Sequence, residues 1–310
     1  MSSPTKIVFL FPGQGSQAIG MGKGFFDSFP EARQIFAEAD EALGIKLSEI
    51  CFEGPEERLK LTENTQPALL VVSTIACRLL GITPDLAAGH SLGEYSALVA
   101  AEALSFSDAV RTVRSRGRYM QEAVPVGEGA MAAILGLSME EVRNALDRVT
   151  SGSAEVANWN SKEQIVIAGH KKAVEEATEL LKPARSVMLP VSAPFHSRLM
   201  KPAEERLGAD LDKLPFSDLA FPVITNVDAD LIHSGIKARD ALKRQVSRPV
   251  RWYESMEVLS RQGISAAVEL GSGKVLSGLM KRISRTWEQR PEIMNVESPE
   301  DLEKVMSVLA

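Results

Sequence analysis

The sequence predicts an α/β fold, a core with a mostly parallel sheet that carries a small inserted α+β subdomain. Three observations predict it. Strand-like and helix-like segments alternate up to about residue 120, as layered α/β proteins require. Residues 129–192 then run strand, helix, strand, strand, helix, strand, the ferredoxin-like order. After them the chain resumes its α/β character.

The first strand is the apolar run 7–11. It leads into the glycine-rich turn Phe11-Pro12-Gly13-Gln14-Gly15-Ser16-Gln17. Gly13, Gly15 and Ala18 fit the dinucleotide fingerprint, with Asp40 near the ribose-binding distance. Gly20, Gly22 and Gly24 argue against it, because each costs a following helix roughly 1 kcal/mol. A loop that brings a backbone N–H to an oxyanion suits these glycines equally well. A helix follows at 30–43. The apolar stretch 68–80 is interrupted by Ser73, Thr74 and Arg78 and falls short of the roughly 20 residues that span a bilayer, so it is expected as a buried helix.

Next comes Gly89-His90-Ser91-Leu92-Gly93, between the small-residue strand 86–88 and the helical segment 94–104. That is the strand-turn-helix context of a nucleophile elbow. Ser91 projects from the turn, and the free N–H of Leu92 at the helix start can face an oxyanion. The helix 108–124 follows. In the inserted segment, strands are expected at 130–135, 155–158, 164–168 and 185–190 and helices at 139–149 and 172–181, with Ser138 and Glu141 spaced as a capping box. Beyond it lie strand candidates 222–225 and 266–269, the turn Gly271-Ser272-Gly273 and a closing helix at 301–309. The expected division is a large domain of residues 1–125 and 197–310 and a small ferredoxin-like subdomain of residues 126–196, with a cleft where the insertion leaves and returns.

Composition narrows the function. A chain of 310 residues with 45% hydrophobic residues buries a sizeable core. Its net charge of −6 opposes non-specific nucleic-acid binding. Two cysteines, Cys51 and Cys77, make neither a disulfide framework nor a metal site and are expected as reduced core residues. The N-terminal apolar run is a strand and not a signal peptide, so the cytoplasm is the expected compartment.

A serine nucleophile needs a base, and the chain has four histidines. His90 neighbours Ser91 and its side chain diverges from it, which suits an orienting role. His170 and His233 sit in polar turns. His196, in Val191-Ser192-Ala193-Pro194-Phe195-His196-Ser197, lies where the small subdomain ends and can reach the cleft, so it is the candidate general base. No acidic residue stands out as a third member; a backbone carbonyl would make the site a dyad. Among the arginines of 108–124, Arg111, Arg114 and Arg118 share one helical face while Arg116 points elsewhere, to solvent or inward. An inward guanidinium would hold a carboxylate bidentately and select an acyl group ending in an acid.

Taken together, these stretches resemble the malonyl-CoA:acyl carrier protein transacylases of fatty acid synthesis and the related acyltransferase domains of polyketide synthases. The resemblance covers nearly the whole chain and rests also on Thr65-Gln66-Pro67-Ala68, Gly93-Glu94-Tyr95, Arg116-Gly117, Met120-Gln121 and Gly271-Ser272-Gly273-Lys274-Val275-Leu276. It implies a hydrolase-like α/β core with a ferredoxin-like insertion. It implies that Ser91 carries the acyl ester, that His196 is base and acid, and that Arg116 binds the malonyl carboxylate. The amides of Gln14 and Leu92 would form the oxyanion hole. The histidine would be held by a main-chain carbonyl near Gln245. Gln245, Met120, Phe195 and His90 complete the expected substrate site, Phe195 in the manner of malonyl-selective members. No cofactor or metal is implied; malonyl-CoA and phosphopantetheinylated acyl carrier protein are substrates, and a monomer is expected with neither a nucleic-acid nor a membrane partner.

An acidic carrier protein would favour a basic docking patch. Lys237, Arg239, Lys243, Arg244, Arg248 and Arg251 form one candidate; Lys281, Arg282 and Arg285 form another, and one of the two is expected to border the cleft. The rival reading is a serine hydrolase with the same elbow. Hydrolases of that fold place an acid and then a histidine late in the chain, and no histidine follows His233.

Overall fold

The computed structural model describes residues 5–191 and 193–309. Ser192 of the histidine-bearing stretch, and the chain ends, lie outside the described residues. Among the described residues ten strands form two sheets: β1 (Ile7–Phe11), β2 (Leu86–Gly89), β3 (Gly129–Leu135), β4 (Ala154–Ser161), β5 (Gln164–His170), β6 (Arg185–Met188), β7 (Val223–Ile224), β8 (Leu231–Ile232), β9 (Ala266–Leu270) and β10 (Glu292–Val296).

The large sheet has the order β10-β9-β1-β2-β7-β8. Its strands are parallel except β8, which returns antiparallel to β7. β1 lies centrally and is buried on both faces. Phe9 and Phe11 pack with helix Thr62–Leu80 on one side, while Val8 and Leu10 pack with Trp252 and Met256 on the other. A parallel strand covered on both faces reads as an unbroken apolar run, which explains Ile-Val-Phe-Leu-Phe. Helix Thr62–Leu80 begins six residues before the apolar stretch and holds Pro67 inside it.

The small sheet has the order β4-β5-β3-β6 and is wholly antiparallel. Helices Met139–Leu146 and Lys171–Leu180 cover it, closing a separate core around Ile134, Val142, Ile165 and Val174. The capping box at Ser138 and Glu141 is present. β4 is longer than its alternation suggests. Two irregularities, between Val156 and Asn158 and between Trp159 and Ser161, break the two-residue period while the ladder with β5 continues. Those same residues tie the small sheet to the segment before helix Trp252–Ser260: Trp159 N–H donates to the Val250 carbonyl at 2.9 Å, and Val250 N–H to the Ala157 carbonyl at 2.9 Å.

Some expected boundaries move. The helix after the elbow is Gly93–Ala100 and stops short of Leu104, and the last strand of the insertion ends at Met188. No helix is long and apolar enough to cross a membrane among the described residues. Nor does a long helix follow the first glycine loop: the next is the six-residue Lys23–Ser28, beyond turns at Gly20 and Gly22, so the pyrophosphate-binding reading fails.

Candidate active site

The elbow is built by two close backbone approaches. A Cβ on Gly89 would lie 1.9 Å from the Gly93 carbonyl, and one on Gly93 would lie 2.0 Å from the Phe11 carbonyl oxygen. Only glycine lets the helix start this close to β1 and β2. Ser91 between them takes φ 51°, a left-handed conformation that costs a non-glycine residue about 1–3 kcal/mol. Asn226 holds it there. Its Oδ1 accepts from the Ser91 amide at 2.6 Å, and its Nδ2 donates to the Gly89 carbonyl at 2.7 Å.

The Ser91 hydroxyl meets His196 Nε2 at 2.7 Å. On the far side of the ring, Nδ1 donates to the Gln245 backbone carbonyl at 2.8 Å. A carbonyl only accepts, so Nδ1 carries the proton and Nε2 is bare, ready to take the hydroxyl proton. Burial, with the nearby Arg116 charge second, pushes the His196 pKa down to about 3, which keeps the ring neutral. The pair is therefore a dyad oriented by main chain.

Arg116 is 1% exposed and stands at the dyad. Its Nη1 donates to Gln66 Oε1 at 2.8 Å, and its Nη2 to Gln245 Oε1 at 2.9 Å and to Ser91 Oγ at 3.1 Å. Its Nε has no acceptor, and no ion pair joins it to a carboxylate among the described residues. Arg111 and Arg118 are exposed and Arg114 half-buried, as the helical geometry separates them. Helix Phe106–Glu122 can sink Arg116 this deep because Gly117 beside it lies against the Thr62 carbonyl, 2.6 Å from where a Cβ would stand.

Ser91, His196 and Arg116 face one cavity, whose wall also includes Gln14, Leu92, Met120, Phe195 and His90. Leu92 is the N-cap of the elbow helix, so its amide is among the donors that a helix start leaves unpaired. His90 faces β4 of the small sheet, its Nε2 2.8 Å from Asn160 Oδ1 and its ring 5.4 Å from Trp252. Gln245 departs from the expected substrate-contacting position. It is fully buried behind Arg116 and absent from the cavity wall, and it reaches the site through His196 and Arg116.

His170, at the end of β5, accepts from the Ser153 amide at 3.0 Å, and neither it nor His233 lines the cavity. Burial pushes the Cys51 and Cys77 thiols up to about 12, so neither is a thiolate nucleophile. No group of three or more His, Cys, Asp or Glu placed to hold a metal ion occurs among the described residues. None of the nine basic residues of the two clusters lines the cavity.

Sequence reasoning gave no role to Gln66, Glu94 or Asn226. The first two sit inside motifs that were recognised, and their burial at 2% and 1% is what marks them. Asn226 carries no signal in sequence; it reaches the elbow from the end of β7, across 135 residues of chain.

The acyl transferase domain model matches residues 8–295. A Bacillus subtilis (strain 168) protein named malonyl CoA-acyl carrier protein transacylase is 50% identical, with 98% of each chain covered. The protein of the same name from Escherichia coli (strain K12) is 47% identical over 91% of this chain and 94% of its own. Among solved structures, the malonyl CoA-acyl carrier protein transacylase from Coxiella burnetii superposes with a TM-score of 0.95 at 40% identity, covering 99% of this chain and 98% of that one. A type II PKS acyl-carrier protein in complex with its malonyl-transacylase gives a TM-score of 0.94 at 42% identity, covering 98% of this chain and 100% of that one.

Proposed function

The chain belongs to the acyl transferase domain family, and we infer that it is a malonyl-CoA:acyl carrier protein transacylase serving fatty acid synthesis. The observation that carries the reading is the buried Arg116 guanidinium, which forms no ion pair with a carboxylate among the described residues and stands 3.1 Å from the serine oxygen. A serine–histidine pair alone transfers or hydrolyses any acyl group. A buried cation beside it favours an acyl group that brings its own carboxylate.

Two half-reactions follow. His196 Nε2 takes the Ser91 proton as Oγ attacks the thioester carbonyl, with the developing oxyanion on the Gln14 and Leu92 amides. The C–S bond breaks, and the coenzyme A thiolate leaves with the proton from His196. The phosphopantetheine thiol of the carrier protein then gives its proton to His196 and attacks the ester carbonyl. The C–Oγ bond breaks, and Ser91 recovers its proton. Neither step calls for a group beyond the two substrates.

The domain division at residues 126 and 196 belongs to this reading, with β3–β6 as a wall over the elbow. So do a monomeric enzyme and a cytoplasmic location. For the carrier protein, the cluster near Arg282 is the better docking surface. In the other cluster Arg239, Lys243, Arg244 and Arg251 are engaged by Asp212, Asp228, Asp240 and Glu254. Arg282 and Arg285 instead share a pocket with Lys162 at the β4–β5 hairpin and form no ion pair among the described residues.

The test is intact-protein mass after brief mixing with malonyl-CoA. A malonyl adduct on the wild type and none on Ser91→Ala is expected. An adduct that persists in the variant, or none on either, overturns the reading.

A further inference from the structure

Glu94 opens the first turn of the elbow helix, where a carboxylate ordinarily faces solvent and the helix dipole. Here it is 1% exposed. Both of its hydrogen bonds converge on one oxygen: Oε2 accepts from the Asn226 amide at 2.9 Å and from Gln245 Nε2 at 2.8 Å. Oε1 has no partner.

Those two neighbours hold everything that reacts. Asn226 fixes the Ser91 amide and the Gly89 carbonyl. Gln245 fixes His196 through its backbone carbonyl, Arg116 through Oε1, and the Ser91 carbonyl through Nε2 at 3.0 Å. We propose that Glu94 is a positioning residue of the transfer reaction, its Oε2 pinning Asn226 and Gln245 together so that nucleophile, base and carboxylate clamp keep one register. The inference deepens the transacylase reading and rests on it for the choice of acyl donor.

The working part is the acceptor oxygen and its reach, not the charge. A glutamine presents an amide oxygen to the same two donors and leaves its NH2 where Oε1 stands. An aspartate keeps the charge but withdraws the carboxylate by about 1.5 Å, one C–C bond. Misplacing reacting groups by about 1 Å costs up to ~100-fold in rate.

The experiment compares Glu94→Gln and Glu94→Asp by two readouts: single-turnover acylation with malonyl-CoA and with acetyl-CoA, and labelling of Ser91 by a fluorophosphonate. Expected for Glu94→Gln is kcat within about threefold of wild type. For Glu94→Asp, acylation and labelling are expected to slow by at least about tenfold, with a KM increase confined to malonyl-CoA, whose carboxylate reports Arg116. Glu94→Asp behaving as wild type overturns the proposal, as does Glu94→Gln falling with it. Fluorophosphonate labelling needs no acyl donor. The expected labelling pattern without any malonyl adduct would therefore remove the transacylase reading and leave Glu94 in its role.

Discussion

Replacing Arg116 with alanine removes the cation that donates to the Ser91 hydroxyl. In the resting site it donates to Gln66, Gln245 and Ser91. With an acyl carboxylate in place it would offer two parallel charge-assisted bonds. Each hydrogen bond to a charged group is worth about 1.5–3 kcal/mol, so losing the pair costs malonyl transfer about 3–6 kcal/mol. At about 1.4 kcal/mol per tenfold, kcat/KM for malonyl-CoA should fall by roughly 10²- to 10⁴-fold. Acetyl-CoA has no carboxylate to lose and should change by less than about tenfold. Rapid-quench acylation of Ser91 with each donor measures the ratio, and a thermal melt separates it from unfolding. Equal losses for the two donors, or an unchanged preference for malonyl-CoA, would refute the assignment of Arg116 as the clamp.

His196 is held near a pKa of about 3 by burial and by Arg116, far below the ordinary imidazole value, so it stays neutral and basic as pH falls through 6.5. Ser91 acylation should therefore be flat from pH 8 to pH 5; an acid limb centred between 6 and 7 would contradict this, and in Arg116→Ala any limb should move upward. Burial raises Glu94 to about 7, but its proton would settle on the unpartnered Oε1 and leave both bonds to Oε2 intact, so that titration should not appear in the acylation rate. Gly93→Ala places a Cβ 2.0 Å from the Phe11 carbonyl and should destabilise the fold by about 3 kcal/mol, read as a fall in Tm; an unchanged melt would mean that the elbow relaxes without cost. Charge reversal at Arg282 and Arg285 should raise KM for the carrier protein several-fold and leave acylation by malonyl-CoA intact, whereas an unchanged KM removes that docking surface.

The elbow was legible because its pattern is local in sequence. Gly89 is demanded by Gly93 within the strand-turn-helix and Gly93 by the Phe11 carbonyl of β1, and the sequence shows both glycines. β1 was legible for the same reason, an apolar run that only a doubly covered strand tolerates. Arg116 was half legible: helical spacing separates it from Arg111, Arg114 and Arg118, but its direction depends on Gly117 packing against a distant helix. Gln245 was half legible: the resemblance expected a main-chain carbonyl near it behind His196, as found, but its side chain braces Arg116 and does not line the cavity. Asn226 and the short strands β7 and β8 were harder still. Two-residue strands carry no period, and a lone asparagine reveals its role only when the fold brings it to the elbow. The antiparallel return of β8 and the edge strand β10, half-exposed over most of its length, likewise lack the apolar pattern that announces a central strand.

The central claim is transfer, and the partition of the malonyl enzyme tests it most directly. Enzyme acylated with malonyl-CoA and freed of excess donor is divided between buffer and phosphopantetheinylated acyl carrier protein, and the loss of the ester mass is followed in each. The account predicts an ester that persists in buffer and discharges rapidly onto the carrier, with the malonyl mass recovered on the carrier thiol. An ester lost to water at the same rate with or without the carrier would contradict it and make the protein a hydrolase on an acyl transferase fold.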